Sequence, residues 1–331
     1  MDTHLVSVIV PTYNRPKLLE RALNSLNDQT FKDFEVIIVN DGKSDVLQII
    51  SRFKKLNIHV VDTGGNKGLS FARNTGLQKA TGKFIAYLDD DDIFREMHLQ
   101  ELSNKLLTTR GQVVYANCQV MKYNQKDGKL VYVKKGHLFR NKYDKKLMFV
   151  DNLTPVIAVM HTKACFDKAR PFDETLKTHE DWDVWMSLAE KYEFHHVDKI
   201  TSEVTFIHHG DSITNSKVMD FEYSRALLYK KYSSVVDEQT KTLQFERTNQ
   251  MYIKMLPFIK SFFEKENMQI KESSTFENVL DNIINFFEAL KQNKQQDLIL
   301  SLMARTIIAE QRVHKLEKPL IRINLPEKLK F

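Results

Sequence analysis

The fold class follows from residues 5–42, which read LVSVIVPTYNRPKLLERALNSLNDQTFKDFEVIIVNDG. Leu5–Val10 is a short apolar run that ends at Pro11, as expected of a buried strand. Pro16 opens a segment whose apolar residues recur at helical spacing, and proline suits a first helical turn. Phe34–Val39 is a second strand-like run. Strand–helix alternation of this kind implies a mostly parallel sheet covered on both faces, so the fold class is α/β.

The same patterns assign elements to the rest of the chain. Helices are predicted at Ser44–Lys55, Leu69–Lys79, Glu180–Lys191, Phe276–Leu290 (after the capping-box pattern Ser274–Glu277) and Asp297–Leu316. Strands are predicted at Ile58–Val61, Lys83–Leu88, Val156–His161 and Val204–His208, and a hairpin turns at Lys126–Gly128.

Glycine usage divides the chain. All ten glycines lie at or before Gly210, and the 121 residues that follow contain three prolines. Because glycine marks turns, its absence predicts long helices with short connections. We therefore expect a catalytic domain over residues 1–216, with a donor half (about 1–112) and an acceptor half (about 113–216). An all-α subdomain should follow over 217–331.

Charge and cysteine usage limit the function. The net charge is +6, which favours an anionic partner such as a nucleotide or a phospholipid headgroup. The basic residues are spread along the chain, unlike those of a nucleic-acid binder. Cys118 and Cys165 show no metal-ligand spacing. No signal peptide and no apolar run long enough to cross a bilayer is apparent, so we expect a cytoplasmic protein.

Carboxylates follow three of the predicted strands. Asp41, Asp62 and Asp89–Asp92 stand where strands two, three and four end, and ligands of an open parallel sheet bind beyond those ends. Four adjacent aspartates repel one another unless a cation compensates, which points to Mg²⁺ or Mn²⁺ beside phosphate oxygens. One or two of them could instead cap a helix starting near Phe94. A calcium loop is excluded, because its glycine position holds Phe94 or Arg95.

The loop Gly64–Gly68 offers backbone N–H groups to an anion at the start of a helix. Neither a phosphate loop nor a G-x-G-x-x-G pattern is present, which argues against an ordinary ATPase or dehydrogenase. Taken alone, Arg73 in that helix is a solvated charge.

Five segments together resemble the inverting glycosyltransferases of family 2, over roughly residues 5–215: Ser7–Arg15, Val39–Asp41, Asn66–Gly76, Leu88–Asp91 and Phe172–Trp185. The resemblance implies a GT-A, Rossmann-like domain that uses a nucleotide sugar. UDP is the expected nucleotide, since Asp41 would accept the ring N–H of uracil, although thymine offers the same group. The donor-binding residues it implies are Pro11, Thr12, Tyr13, Asp41, Asn66, Gly68, Arg73, Asp89 and Asp90.

The same resemblance implies the metal and the base. Asp91 would bind Mn²⁺ or Mg²⁺. His209 would be a further metal ligand or a phosphate contact, with His208 as the alternative histidine. Asp181 would be the general base, with Glu180 and Trp182 binding the acceptor. An acidic pair ahead of a helix is otherwise a common N-terminal charge arrangement.

These expectations combine into one enzyme class. We expect a metal-dependent inverting glycosyltransferase of the hexosyl type (EC 2.4), which moves one sugar to a hydroxyl of a glycan, a glycolipid or a protein. The Gln-x-x-Arg-Trp motif of processive synthases is missing, since the nearest string is Gln311–Lys315. A sugar-nucleotide-forming nucleotidyltransferase is disfavoured, because it would need a glycine-rich loop where Pro11–Arg15 contains no glycine. The alternative is a catalytically inactive sugar-binding scaffold subunit, against which the intact Asp41, Asp91 and Asp181 weigh.

The helical part leaves its role open. Its apolar stripes include Phe262, Phe263, Phe286 and Phe287, which are more often core than a membrane face. We expect these helices to pack as a subdomain, with homo-oligomerisation second and peripheral contact with the inner face of a membrane third. The donor sugar and the acceptor are not specified by the sequence.

Overall fold

The computed structural model describes residues 4–126, 129–167, 171–208, 210–271 and 275–291. The chain forms two compact units: residues 1–176 with 180–208, and residues 177–179 with 209–331. The sequence places the boundary eight residues later, after residue 216, because glycine content falls only beyond Gly210. The boundary in the structure coincides with the end of the last strand at His208.

A sheet of nine strands runs through the described part of the first unit. In chain order the strands are β1 (Val6–Thr12), β2 (Phe34–Asn40), β3 (Asn57–Asp62), β4 (Phe84–Tyr87), β5 (Ile93–Phe94), β6 (Val113–Lys126), β7 (Lys129–Phe139), β8 (Val159–Thr162) and β9 (Phe194–His208). Their spatial order is β3-β2-β1-β4-β8-β6-β9-β5, and β7 pairs with β6.

Helices connect the strands and then form the second unit. The first unit has α1 (Pro16–Asn27), α2 (Leu47–Ile50), α3 (Leu69–Lys79), α4 (His98–Thr109), α5 (Lys145–Met148) and α6 (Glu180–Lys191). The second unit has α7 (Gly210–Lys231), α8 (Glu238–Lys265) and α9 (Phe276–Lys291).

The parallel half of the sheet is fully buried. β1 pairs in parallel with both β2 and β4, and β2 pairs in parallel with β3. Every residue of β1 and β2 is buried, as expected of strands covered on both faces. β8 runs antiparallel to β4 and to β6, so the complete sheet is mixed but mostly parallel on the side that carries the predicted donor half. The α/β prediction is confirmed.

Two predicted helices differ from those in the structure. Ser44–Lys55 contains only the single turn α2, because the chain beyond it is held by tight i→i−3 turns such as Phe53 N–H to Ile50 O. The helix expected near Phe94 begins only at His98. Ile93–Phe94 is instead the short strand β5, which pairs with β9 more than 100 residues later.

The helix α3 lies close to β1 because it carries a glycine. A Cβ built on Gly76 would lie 2.4 Å from Cγ2 of Ile9, a fully buried residue of β1. We expect Gly76→Ala to lower the free energy of unfolding by about 1–2 kcal/mol, because overpacking outweighs the gain in helix propensity. Urea unfolding followed by tryptophan fluorescence measures this in the first unit, since Trp182 and Trp185 are the only tryptophans and both are buried there.

The exposed Gln78 of the same helix provides the control. Gln78→Ala should leave the unfolding midpoint nearly unchanged. An unchanged midpoint for Gly76→Ala as well would contradict the close contact with Ile9.

The second unit is helical, as the glycine pattern predicts. Phe262, Phe263, Phe286 and Phe287 are all buried, so these aromatic residues contribute to a core. The helix predicted at Phe276–Leu290 is α9. The predicted helix at Asp297–Leu316 lies outside the described residues, as do Asp127 and Gly128 of the predicted hairpin turn. No helix in the described ranges is both long and apolar enough to cross a membrane.

Candidate active site

Polar groups collect where β1, β2 and β4 end. The parallel register aligns Thr12 with Asn40, and Asp41 follows directly. β4 runs through Leu88 into Asp89 at the same edge, because it pairs in parallel with β1. The predicted donor residues that follow these strands are therefore neighbours in the first unit.

Asp41 organises the loop that leads into α3. Its carboxylate accepts hydrogen bonds from the backbone N–H groups of Lys67 (2.8 Å) and Gly68 (2.8 Å) and from the hydroxyl of Thr63. The side chain is only 4% exposed. Gly68 has φ +99°, a conformation that a residue with a Cβ adopts only with strain. Asp41 thus fixes the loop, and its contact with a nucleotide base stays a prediction.

Arg73 lies at the centre of the site and is 1% exposed. Its guanidinium makes ion pairs of 2.7 Å with Asp89 and of 2.7 Å with Glu180, and it lies over the ring of Phe172. Burial alone would lower the pKa of Arg73, but Asp89 and Glu180 reverse this effect and raise it above the ordinary value. Arg73 therefore connects the residue after β4 with the start of α6. It is not the solvated charge expected of an isolated arginine.

Asp90 and Asp91 share one arginine. Arg15 approaches Asp90 to 2.5 Å and Asp91 to 2.8 Å with different guanidinium nitrogens. Asp90 is fully buried and also accepts a hydrogen bond of 2.7 Å from the hydroxyl of Thr12. Burial raises the pKa of Asp90 to about 6, and Arg15 opposes that rise. Asp90 has no exposed surface in this structure, where it anchors Arg15 and Thr12, and its contact with a donor stays a prediction.

A second arginine fixes the turn between β4 and β5. Arg21 of α1 donates to the backbone carbonyl of Asp91 (2.9 Å) and to the hydroxyl of Thr205 (2.7 Å). The Asp92 carboxylate accepts a hydrogen bond of 2.7 Å from the Thr205 N–H and is buried. Sequence reasoning gave neither Arg15 nor Arg21 a role. The only available signal was that Arg15 ends the motif Ser7–Arg15.

Two carboxylates of this turn each keep an oxygen of the kind that a hard divalent cation prefers. Arg73 uses Oδ1 of Asp89 and Arg15 uses Oδ2 of Asp91, so each carboxylate has a second oxygen to offer. Both side chains are partly exposed, at 25% and 24%. The described residues contain no group of three or more metal-ligating side chains, so phosphate oxygens and water would complete the shell. The other predicted ligand, His209, lies outside the described residues, as does the side chain of His208.

Asp181 stands at the start of α6. Both of its oxygens accept hydrogen bonds of 3.1 Å from the side-chain amide of Asn152, and one accepts the Trp182 N–H at 2.7 Å. Burial raises the pKa of Asp181 to about 7, Glu180 adds to the rise, and Arg73 opposes it. A carboxylate with this pKa exchanges protons near neutral pH, as a general base requires. Asn152 is a further residue that no sequence motif indicated.

Trp182, which the sequence predicts to bind the acceptor, lies in the core of the first unit. Its side chain is fully buried and its indole N–H donates to the carbonyl of Met148 at 2.6 Å. No surface of the ring is left for an acceptor, so Trp182 packs the core beneath the site. Glu180 remains partly exposed beside Arg73. Among the other predicted donor residues, Tyr13 and Asn66 are exposed at the rim and Pro11 is buried in β1.

The family model "Glycosyl transferase family 2" matches residues 7–170. An uncharacterized glycosyltransferase of Bacillus subtilis, YwdF, is 28% identical over 62% of this chain and 76% of its own length. A β-1,3-glucosyltransferase of Escherichia coli, WfgD, named for UDP-glucose and an N-acetylglucosamine-diphosphoundecaprenol acceptor, is 33% identical over 40% of this chain and 52% of its own.

Some curated relatives are much longer, and the chain spans only 29–32% of their length. Among solved structures, Staphylococcus aureus TarS (residues 1–349, in complex with UDP-GlcNAc) is 19% identical with a TM-score of 0.55. The match covers 94% of this chain and 92% of that one. This likeness establishes the fold. The family model in turn identifies residues 7–170 as a glycosyl transferase family 2 domain.

Proposed function

We propose that this glycosyltransferase is an inverting, non-processive enzyme that moves one sugar from a nucleotide sugar, UDP-linked by preference, to an acceptor hydroxyl. One observation carries the proposal: Arg73 pairs with Asp89 on one side and with Glu180 on the other. This bridge holds the predicted donor carboxylate and the start of α6, where Asp181 lies, in one rigid cluster. With a donor and an acceptor bound on either side of this bridge, the acceptor hydroxyl would meet the anomeric carbon of the donor sugar.

The donor half would bind the nucleotide through the loop that Asp41 organises. The N–H groups at the start of α3 suit an anion. Asp89 and Asp91 would hold Mn²⁺ or Mg²⁺ beside the diphosphate. When bound, the cation would neutralise the negative charge that develops on the departing diphosphate. Arg15 keeps Asp91 in place through the same turn.

The acceptor half would supply the base. Asp181 would remove the proton from the acceptor hydroxyl as its oxygen attacks the anomeric carbon opposite the departing nucleotide. The proton passes to the carboxylate, the glycosidic bond forms, and the bond to the diphosphate breaks. Asn152 would hold the carboxylate in place, because it donates to both oxygens. The WfgD relative, named for a lipid diphosphate acceptor, supports a lipid-linked glycan as the acceptor.

Calorimetric titration tests the donor site. We expect one of UDP, GDP, dTDP and ADP to bind selectively and only with Mn²⁺, and Asp91→Asn to abolish that binding. Asp33→Asn is the matched control, since Asp33 is exposed beside the opposite end of β2. Failure of all four nucleotides with and without Mn²⁺ would reject the donor site and favour an inactive scaffold.

The pH dependence tests the base. Because the pKa of Asp181 is about 7 and only the deprotonated carboxylate accepts a proton, kcat/KM should rise with pH below 7 and level off above it. The rise should approach tenfold per pH unit well below the pKa, as for a single ionisation. A profile that is flat from pH 5 to 8 would contradict Asp181 as the base.

A further inference from the structure

The strands β6, β7 and β9 continue past the site as a three-stranded ribbon. β6 pairs antiparallel with β7 up to Lys126 and Lys129, and in parallel with β9 up to Asn124 and His208. Alternate residues of a strand point to opposite faces. The register therefore sorts the side chains of the ribbon into two faces.

One face is tied to the body of the first unit. Tyr123 lies opposite Tyr132, and their rings meet edge to face at 5.9 Å. Arg21 of α1 lies over the Tyr123 ring and also donates to Thr205 of β9. Tyr123 therefore ties this face to α1, while Tyr132 at its edge is 51% exposed.

The opposite face carries lysine and apolar side chains. Lys122 lies opposite Lys134 on β7 and Phe206 on β9, and its ammonium group is 5.6 Å from the Phe206 ring centre. Four register positions further along β6, on the same face, Lys126 lies opposite Lys129. Val131, between these lysine pairs, is 47% exposed, and Phe206 is 41% exposed. We call this the cationic face, formed by Lys122, Lys126, Lys129, Lys134, Val131 and Phe206.

On the described part of the ribbon, the lysines of the cationic face share that face with no acidic side chain. The two ammonium groups of each opposite pair repel one another, and the four together attract a partner of dense negative charge. The exposed side chains of Phe206 and Val131 lie beside these lysines. A soluble polyanion would not remove their apolar surface from water, whereas contact with acyl chains would.

We propose that the cationic face docks on the surface of an anionic lipid bilayer. Lysines near such a surface are attracted to its headgroups, while their aliphatic stems and the two apolar side chains reach the boundary of the acyl region. The proposal does not rest on the transfer reaction. The docked face would orient the site on the membrane, since β9, which carries Phe206 of this face, also contributes Thr205 beside the Asp89–Asp92 turn.

Vesicle sedimentation of the full chain tests the proposal without donor, metal or acceptor. We expect binding to mixed phosphatidylglycerol and phosphatidylcholine vesicles, no binding to phosphatidylcholine alone, and weakening with added salt. Changing Lys122, Lys126, Lys129 and Lys134 together to glutamine should reduce the binding about 100-fold or more. The matched control changes four exposed lysines elsewhere, Lys17, Lys54, Lys55 and Lys79, to glutamine and should bind nearly as the wild type does.

A second variant distinguishes binding to lipid from binding to a soluble polyanion. Val131→Ser with Phe206→Ser keeps every charge and should still weaken vesicle binding about tenfold, because apolar contact is lost. Equal sedimentation of wild type and both variants, or no sedimentation of the wild type, would overturn the proposal. So would unchanged vesicle binding of the serine variant together with equally tight binding to soluble polyglutamate, which would identify a polyelectrolyte partner. None of these results bears on the nucleotide titration, so the two proposals fail separately.

Discussion

Asp181→Asn is expected to lower kcat by about 10²–10⁴-fold, the range that a lost general base costs. Asparagine keeps the size of the side chain and one acceptor oxygen but cannot take the proton of an acceptor hydroxyl. The fold should survive, because an amide can still accept hydrogen bonds from Asn152 and from the Trp182 N–H. The activity is measured as the release of free nucleoside diphosphate from the donor in the presence of an acceptor preparation. The affinity for that nucleotide is measured in parallel by calorimetry.

The control uses the same helix and the same change of charge. Glu190→Gln lies near the far end of α6, away from Asp181, and should leave kcat near the wild-type value. Unchanged nucleotide affinity in Asp181→Asn would confine the loss to the chemical step. If Asp181→Asn retained more than about a tenth of the wild-type kcat, a base outside Asp181 would have to carry the reaction, since that loss lies below the usual range.

Where local signals are strong, the sequence predicts the fold well. The helices predicted at Leu69–Lys79 and Glu180–Lys191 have these same bounds in the structure. The first follows a glycine-rich loop and the second begins with three carboxylates in its first turn, so each start is marked chemically. The parallel strands are equally clear, because continuous apolar runs end at proline, asparagine or aspartate.

Pairing between distant residues is what the sequence does not reveal. β5 exists only because Ile93 and Phe94 meet β9, and two residues carry no strand pattern of their own. Arg15 reaches Asp90 across 75 residues, and Asn152 reaches Asp181 across 29, with no motif that joins them. The family pattern likewise placed Trp182 among the acceptor contacts. Only three-dimensional packing shows that its ring is buried against Met148.

Loss of the buried Arg73 should also lower the stability of the first unit. Removing one partner of a buried ion pair leaves uncompensated charge, which typically destabilises by 3–5 kcal/mol. Asp89 is a quarter exposed, so we expect Arg73→Met to lower the free energy of unfolding by about 3 kcal/mol, the low end of that range. Methionine fills much of the same volume, so the loss reports mainly on charge. The tryptophans of α6 make urea unfolding specific to the first unit.

Arg73→Lys separates charge from geometry. A lysine keeps one positive charge but lacks the planar fork that reaches Asp89 and Glu180 together, so it should recover only part of the stability. The double variant Asp89→Asn with Glu180→Gln removes both partners. If the ion triad is the cause, adding Arg73→Met to that double variant should cost clearly less than in the wild type. An equal cost in both backgrounds would mean that Arg73 stabilises through packing on Phe172 rather than through its two carboxylates.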